Sequence, residues 1–215
     1  MGGRSAFWFE YPKFGSPKRM GFLSLLKEID KLCGCDFEDD CLMPDVLSDE
    51  NWLMVGQPVG GAIEAEPILE SFTAQTGKQG FYLTYCTTSG SFAYCHWQAG
   101  RRLRTLEYNT SNPHDQIHAD NVWRLVEGEP ETWERSVFFR EDRLLAALSS
   151  EPDYDPADPD CCPVARQKLE AYWRSGVIAK GEQRPWPNPH RAWWEIMRCY
   201  HLPDCCYYTE EYPYR

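Results

Sequence analysis

The chain has 215 residues, 42% of them apolar and 26% charged, ordinary proportions that exclude a wholly disordered chain or a fibrous repeat and allow a core without disulfide staples. Its 33 acidic and 22 basic residues give a formal net charge of -11, which argues against the concentrated basic surface that nucleic acid requires. No run reaches the ~20 uncharged apolar residues of a membrane span, and Met1 to Glu10 lacks the apolar region of a secretory signal, so the expected location is the cytoplasm.

Phe22, Leu25, Leu26, Ile29 and Leu32 recur at helical spacing and predict a helix over 22–32. An acidic loop follows, and from Glu28 to Glu50 nine carboxylates accompany one Lys. Asn51 to Val55 reads as a short strand, closed by the breaker cluster Gly56 to Gly61. Ala62 to Phe72 is helix-like, but Pro67 is permissible only near a first turn, which moves the expected start to Glu66.

Gly80 to Tyr108 carries the clearest local signal. The β-rich runs Phe81 to Cys86 and Ser91 to Trp97 are separated by turn residues, and Gln98-Ala-Gly100 turns the chain into Arg101 to Tyr108, which predicts an antiparallel meander. Leu103 and Leu106 break strict alternation and call for a bulge. Arg101, Arg102 and Arg104 read as a solvated face. Val122 to Val126 is a fourth strand, ended by Gly128-Glu-Pro130, and Glu141 to Leu148 reads as a helix.

From Glu127 to Asp160 eleven carboxylates accompany three Arg, so this stretch and 28–50 are each net negative by eight. Glu151 to Asp160, with three prolines and five carboxylates, reads as a linker. Beyond it, Pro163 opens a helix closed by Gly176, and Ala192 to Tyr200 forms the last helix. These elements predict an α+β protein: a mainly antiparallel sheet of about four strands flanked by helices (1–150), the acidic linker (151–160), and a helical C-terminal portion (161–215).

Two kinds of site are open. Acidic patches steer basic partners, and Trp combines large contact area with a polar tip. Asp36, Glu38, Asp39, Asp40, Glu127, Glu129, Glu131, Trp133 and Glu134 are therefore the candidate partner-binding residues. The ten cysteines offer a second possibility, because Cys33, Cys35, Cys41, Cys199, His201, Cys205 and Cys206 contain enough soft ligands for one tetrahedral zinc. Paired C-x2-C knuckles are absent, and buried thiols packed as small hydrophobes are the competing reading. No G-x-S-x-G or G-x-G-x-x-G supplies a catalytic frame, so the reading leans away from an enzyme.

Gly100-Arg-Arg-Leu-Arg-Thr-Leu-Glu-Tyr108, Trp123 and Gly128-Glu-Pro-Glu-Thr-Trp-Glu134 resemble a sheet-and-loop pattern in uncharacterised small acidic cytosolic proteins of bacteria, some of the toxin-immunity type. The resemblance covers residues 80 to 139. It implies an intracellular protein that binds and neutralises a cognate toxin or other basic protein, with no cofactor. The alternative is a zinc-stabilised regulatory or enzymatic domain.

Overall fold

A computed structural model describes residues 3–10, 27, 46–48, 51–56, 61–86, 90–109, 122–142, 166–182 and 189–203. In chain order they form β1 (Gly3–Glu10), β2 (Val46–Ser48), β3 (Trp52–Gly56), α1 (Ala62–Thr76), β4 (Gln79–Cys86), β5 (Phe92–Gln98), β6 (Arg101–Asn109), β7 (Val122–Gly128), α2 (Thr132–Phe138), α3 (Arg166–Ser175) and α4 (Pro189–Tyr200). Of the helix predicted over 22–32 only the exposed, helical Lys27 is described, and of 141–148 only the first two residues. The linker 151–160 lies outside the described residues.

The strands make one seven-stranded sheet in the order β2-β3-β1-β4-β5-β6-β7, with every pairing antiparallel. The α+β class and the antiparallel sheet are as expected, but about four strands was too few. The predicted meander supplies β4 to β6 and the predicted fourth strand is β7, while β1, β2 and β3 extend the sheet beyond them. The first strand of the chain lies at its centre, between β3 and β4.

Phe7-Trp8-Phe9 is fully buried on both sides of the sheet, because helices cover both faces. Phe7, Phe9, Leu53, Val55, Tyr82, Ala93, Cys95 and Trp97 point to one face, where Ala62, Ala65, Leu69 and Phe72 of α1 join them. Gly80 lets α1 approach closely: a Cβ there would stand 2.9 Å from Leu69 Cδ2. On the other face Trp8, Leu83, Tyr94, Leu106 and Trp123 share a core with Trp133 and Phe138 of α2, Trp173 of α3 and Trp193 and Ile196 of α4. Of the described C-terminal helices, α3 meets Phe139 through Tyr172 and Trp173, and α4 packs on the sheet itself. Trp8 fixes this contact twice, edge-on to Trp193 at a centroid distance of 5.2 Å and by Nε1 donating to the Pro203 carbonyl at 2.9 Å.

The expected bulge is present. Register passes from His96↔Arg104 to Trp97↔Arg102, leaving Leu103 unpaired in β6. The helix predicted from Glu66 starts instead at Ala62, with Pro67 inside it. Its N-cap Gly61 has no side chain to offer the orphan amides, and the Glu107 carboxylate of β6 accepts from the Ala62 N–H at 3.3 Å. No helix among the described residues is long and apolar enough to cross a membrane.

Candidate functional site

Antiparallel register sets Met54, Trp8, Phe81, His96, Arg104 and Gly128 side by side across the sheet. The row changes from apolar to charged as it crosses, and its charged end lies beneath the start of α2. His96 stacks on Phe81 at 4.1 Å with planes 22° apart. Arg104, which β6 carries on the same face as Leu106 and Tyr108, is 1% exposed and is not the solvated residue expected from the Arg101, Arg102 and Arg104 cluster.

Gly128-Glu-Pro-Glu-Thr-Trp-Glu134 closes over this end. Gly128 adopts φ +81°, and a Cβ there would lie 2.0 Å from the Leu103 carbonyl oxygen, so only glycine fits against the bulge. The turn places Glu131 at the N-cap of α2 and Glu134 in its first turn. Glu134 receives Arg104 in a two-pronged contact, Nε to Oε1 at 2.8 Å and Nη2 to Oε2 at 2.7 Å, and accepts the Glu131 N–H at 2.9 Å. Arg104 Nη1 donates to the Gly128 carbonyl at 2.8 Å. Burial lifts the Glu134 carboxyl above its ordinary range, while Arg104 pulls it the other way.

The neighbouring Glu131 gathers donors from two elements. His96 Nδ1 lies 2.6 Å from Oε1, and Oε2 accepts from the Tyr94 hydroxyl at 2.6 Å and the Trp133 indole N–H at 2.7 Å. Burial works against its charge, but the hydrogen bonds and charge of His96, with those of Tyr94 and Trp133, outweigh it and hold the carboxyl below its usual range. Tyr200, at the end of α4, packs on Phe81 at 4.7 Å and edge-on to His96 at 5.1 Å. Burial, followed by the nearby Glu131 charge, pushes its hydroxyl far up. His96 Nε2 lies 3.3 Å from Gln79 Oε1. These groups satisfy one another, an arrangement suited to fixing geometry.

The predicted partner-binding residues therefore divide. Asp36, Glu38, Asp39 and Asp40 lie outside the described residues. Trp133 and Glu134 are buried, and the Glu131 side chain is 12% exposed, all three engaged internally. Glu127 is paired with Arg102, which also binds Glu66 at 2.7 Å; Glu129 is exposed. Of the metal candidates, Cys33, Cys35, Cys41, Cys205 and Cys206 also lie outside the described residues. Cys199 is a free, half-buried thiol near the end of α4, and His201 is exposed just beyond it. Among the described residues no group of three or more His, Cys, Asp or Glu is placed to hold a metal ion.

Sequence reasoning missed His96, Tyr94 and Arg104 as one cluster with Glu131 and Glu134. Two signals pointed to it: an arginine in phase with the buried Leu106 and Tyr108 needs a buried carboxylate, and two glutamates three apart before an apolar run mark a helix start.

Charge is segregated along the chain. Residues 28–50 and 127–160 are each net negative by eight, so the rest of the chain sums to +5. No family model, curated protein or solved structure is significantly similar to the chain.

Proposed function

We propose that the chain is a protein-binding protein that takes a basic partner on its acidic stretch 28–50, as an immunity-type inhibitor neutralising a cognate toxin. The carrying observation is the clustering of charge in the sequence: 28–50 holds nine carboxylates and one Lys, net negative by eight in a chain whose formal net charge is -11. Concentrated negative potential raises the association rate of a cationic surface and selects against acidic competitors.

The stretch 28–50 is favoured over 127–134 because Glu127, Glu131 and Glu134 are already held by Arg102, His96 and Arg104. Residues 46–48, the described part of the first stretch, form one edge of the sheet and 122–128 the other. One docking surface on the first stretch is the simpler arrangement.

Co-expression with the product of the neighbouring gene tests the proposal. The expected result is a complex that survives purification and cells protected from that product. No complex and no rescue would contradict it.

A further inference from the structure

Glu131 is where three packed elements meet. Tyr94 and His96 reach it from β5, Trp133 from α2, and Tyr200 faces it from α4. We propose that the Glu131 carboxylate is an acid-sensitive clasp: while ionised it holds the first turn of α2 and the last turn of α4 to the sheet, and losing its charge loosens both while the central strands stay paired.

The chemistry follows from acceptor capacity. An ionised carboxylate is acceptor-only and can take several donors, whereas its acid form turns one oxygen into a donor. Both oxygens of Glu131 are already occupied at 2.6 to 2.7 Å, so an added proton displaces a bond from His96, Tyr94 or Trp133. The His96 Nδ1 contact is donated to Glu131 when that nitrogen carries the ring proton, whereas Tyr94 and Trp133 donate whatever the tautomer. The titratable or charged groups around the clasp are Tyr94 and His96 on β5, Arg104 on β6, Glu134 on α2, and Tyr200 and Cys199 on α4. From β4 come the uncharged Phe81 and Gln79. Arg104 is committed to Glu134 and does not replace the missing donor.

The strands do not depend on this carboxylate, because their backbone ladders and apolar faces form without it. Since Glu131 is held below its ordinary value, its contribution is present above the usual carboxylate range and is lost as pH falls through the lower folded value.

Hydrogen exchange resolved by residue, expressed as protection factors to remove the intrinsic pH dependence, tests the clasp. At neutral pH, Glu131→Gln is expected to lower protection about tenfold in α2 and at the Leu202 amide, which donates to the Met197 carbonyl. The β4 and β5 amides should keep theirs. Tyr200→Phe, a milder change, should affect Leu202 and spare α2, and Glu70→Gln, exposed on α1, serves as the control and should change neither. Acidification of the wild type should lower protection in α2 and at Leu202 before the β4 and β5 amides, with Glu134, whose carboxyl is lifted above its ordinary range, adding to the loss in α2. Unchanged α2 and Leu202 protection in Glu131→Gln, or loss of strand and helix protection together on acidification, would overturn the proposal.

Discussion

Arg104 sits among apolar side chains on β6, and Glu134 makes that position tolerable by meeting both ends of its guanidinium. Removing one partner leaves the other charge buried and unmatched. Arg104→Ala is therefore expected to destabilise by about 3–5 kcal/mol, whereas replacing both with apolar residues, Arg104→Met with Glu134→Leu, should recover most of that loss. Urea denaturation of the two single variants and the double measures the coupling; additive losses would contradict it. Gly128 has a backbone role. At φ +81° with the Leu103 carbonyl in the place of a side chain, Gly128→Ala should cost at least about 2 kcal/mol. A neutral result in the same assay would mean that the turn over the bulge can relax. The placement of Arg104 was partly legible, because it shares the inward phase of Leu106 and Tyr108. Its partner lies thirty residues away in sequence, and no local pattern identifies which of the nearby carboxylates turns inward.

Helix α1 illustrates how packing overrides local preference. Pro67 lies beyond the first turn, lacks an N–H for the helix, and is exposed, yet the helix begins at Ala62. Burial of Ala62, Ala65, Leu69 and Phe72 against the sheet, together with the Glu107 carboxylate at the N-terminus, outweighs the break. Pro67→Ala restores the missing donor and should raise stability, by less than the roughly 3 kcal/mol that an interior proline costs. Thermal unfolding reads this directly, and a lowered Tm would show that the ring itself contributes. The meander β4 to β6 and its bulge were readable because these strands follow one another closely in sequence and their apolar periodicity is local. Strand β1 was not, since Phe7-Trp8-Phe9 has no alternation and its partners at 52–56 and 80–86 lie far along the chain. A strand covered on both faces looks like any short apolar run. Helix α4 was legible because Trp193, Ile196 and Met197 fall on one buried stripe.

Across the whole chain the two acidic stretches, 28–50 and 127–160, differ in how their charge is used. Glu127 to Glu134 looked like a second acidic surface, but its tryptophan and two of its glutamates build the interior corner beside β5 and β6, and Glu127 pairs with Arg102. The excess charge that remains lies mainly in 28–50, net negative by eight, the stretch proposed to bind a partner. The zinc alternative uses cysteines in those same segments, so elemental analysis of protein purified without added metal separates the readings: no stoichiometric zinc is expected, and one ion per chain would favour the Cys and His clusters. Asp36, Glu38, Asp39 and Asp40 are the carboxylates on which the proposed binding turns. Its most direct test is the association rate of the neighbouring gene product with the wild type and with the variant Asp36→Asn, Glu38→Gln, Asp39→Asn, Asp40→Asn, at low and high salt. A rate that falls at least tenfold in the variant, together with a weaker salt dependence, is the predicted result; equal rates and equal salt dependence would contradict it.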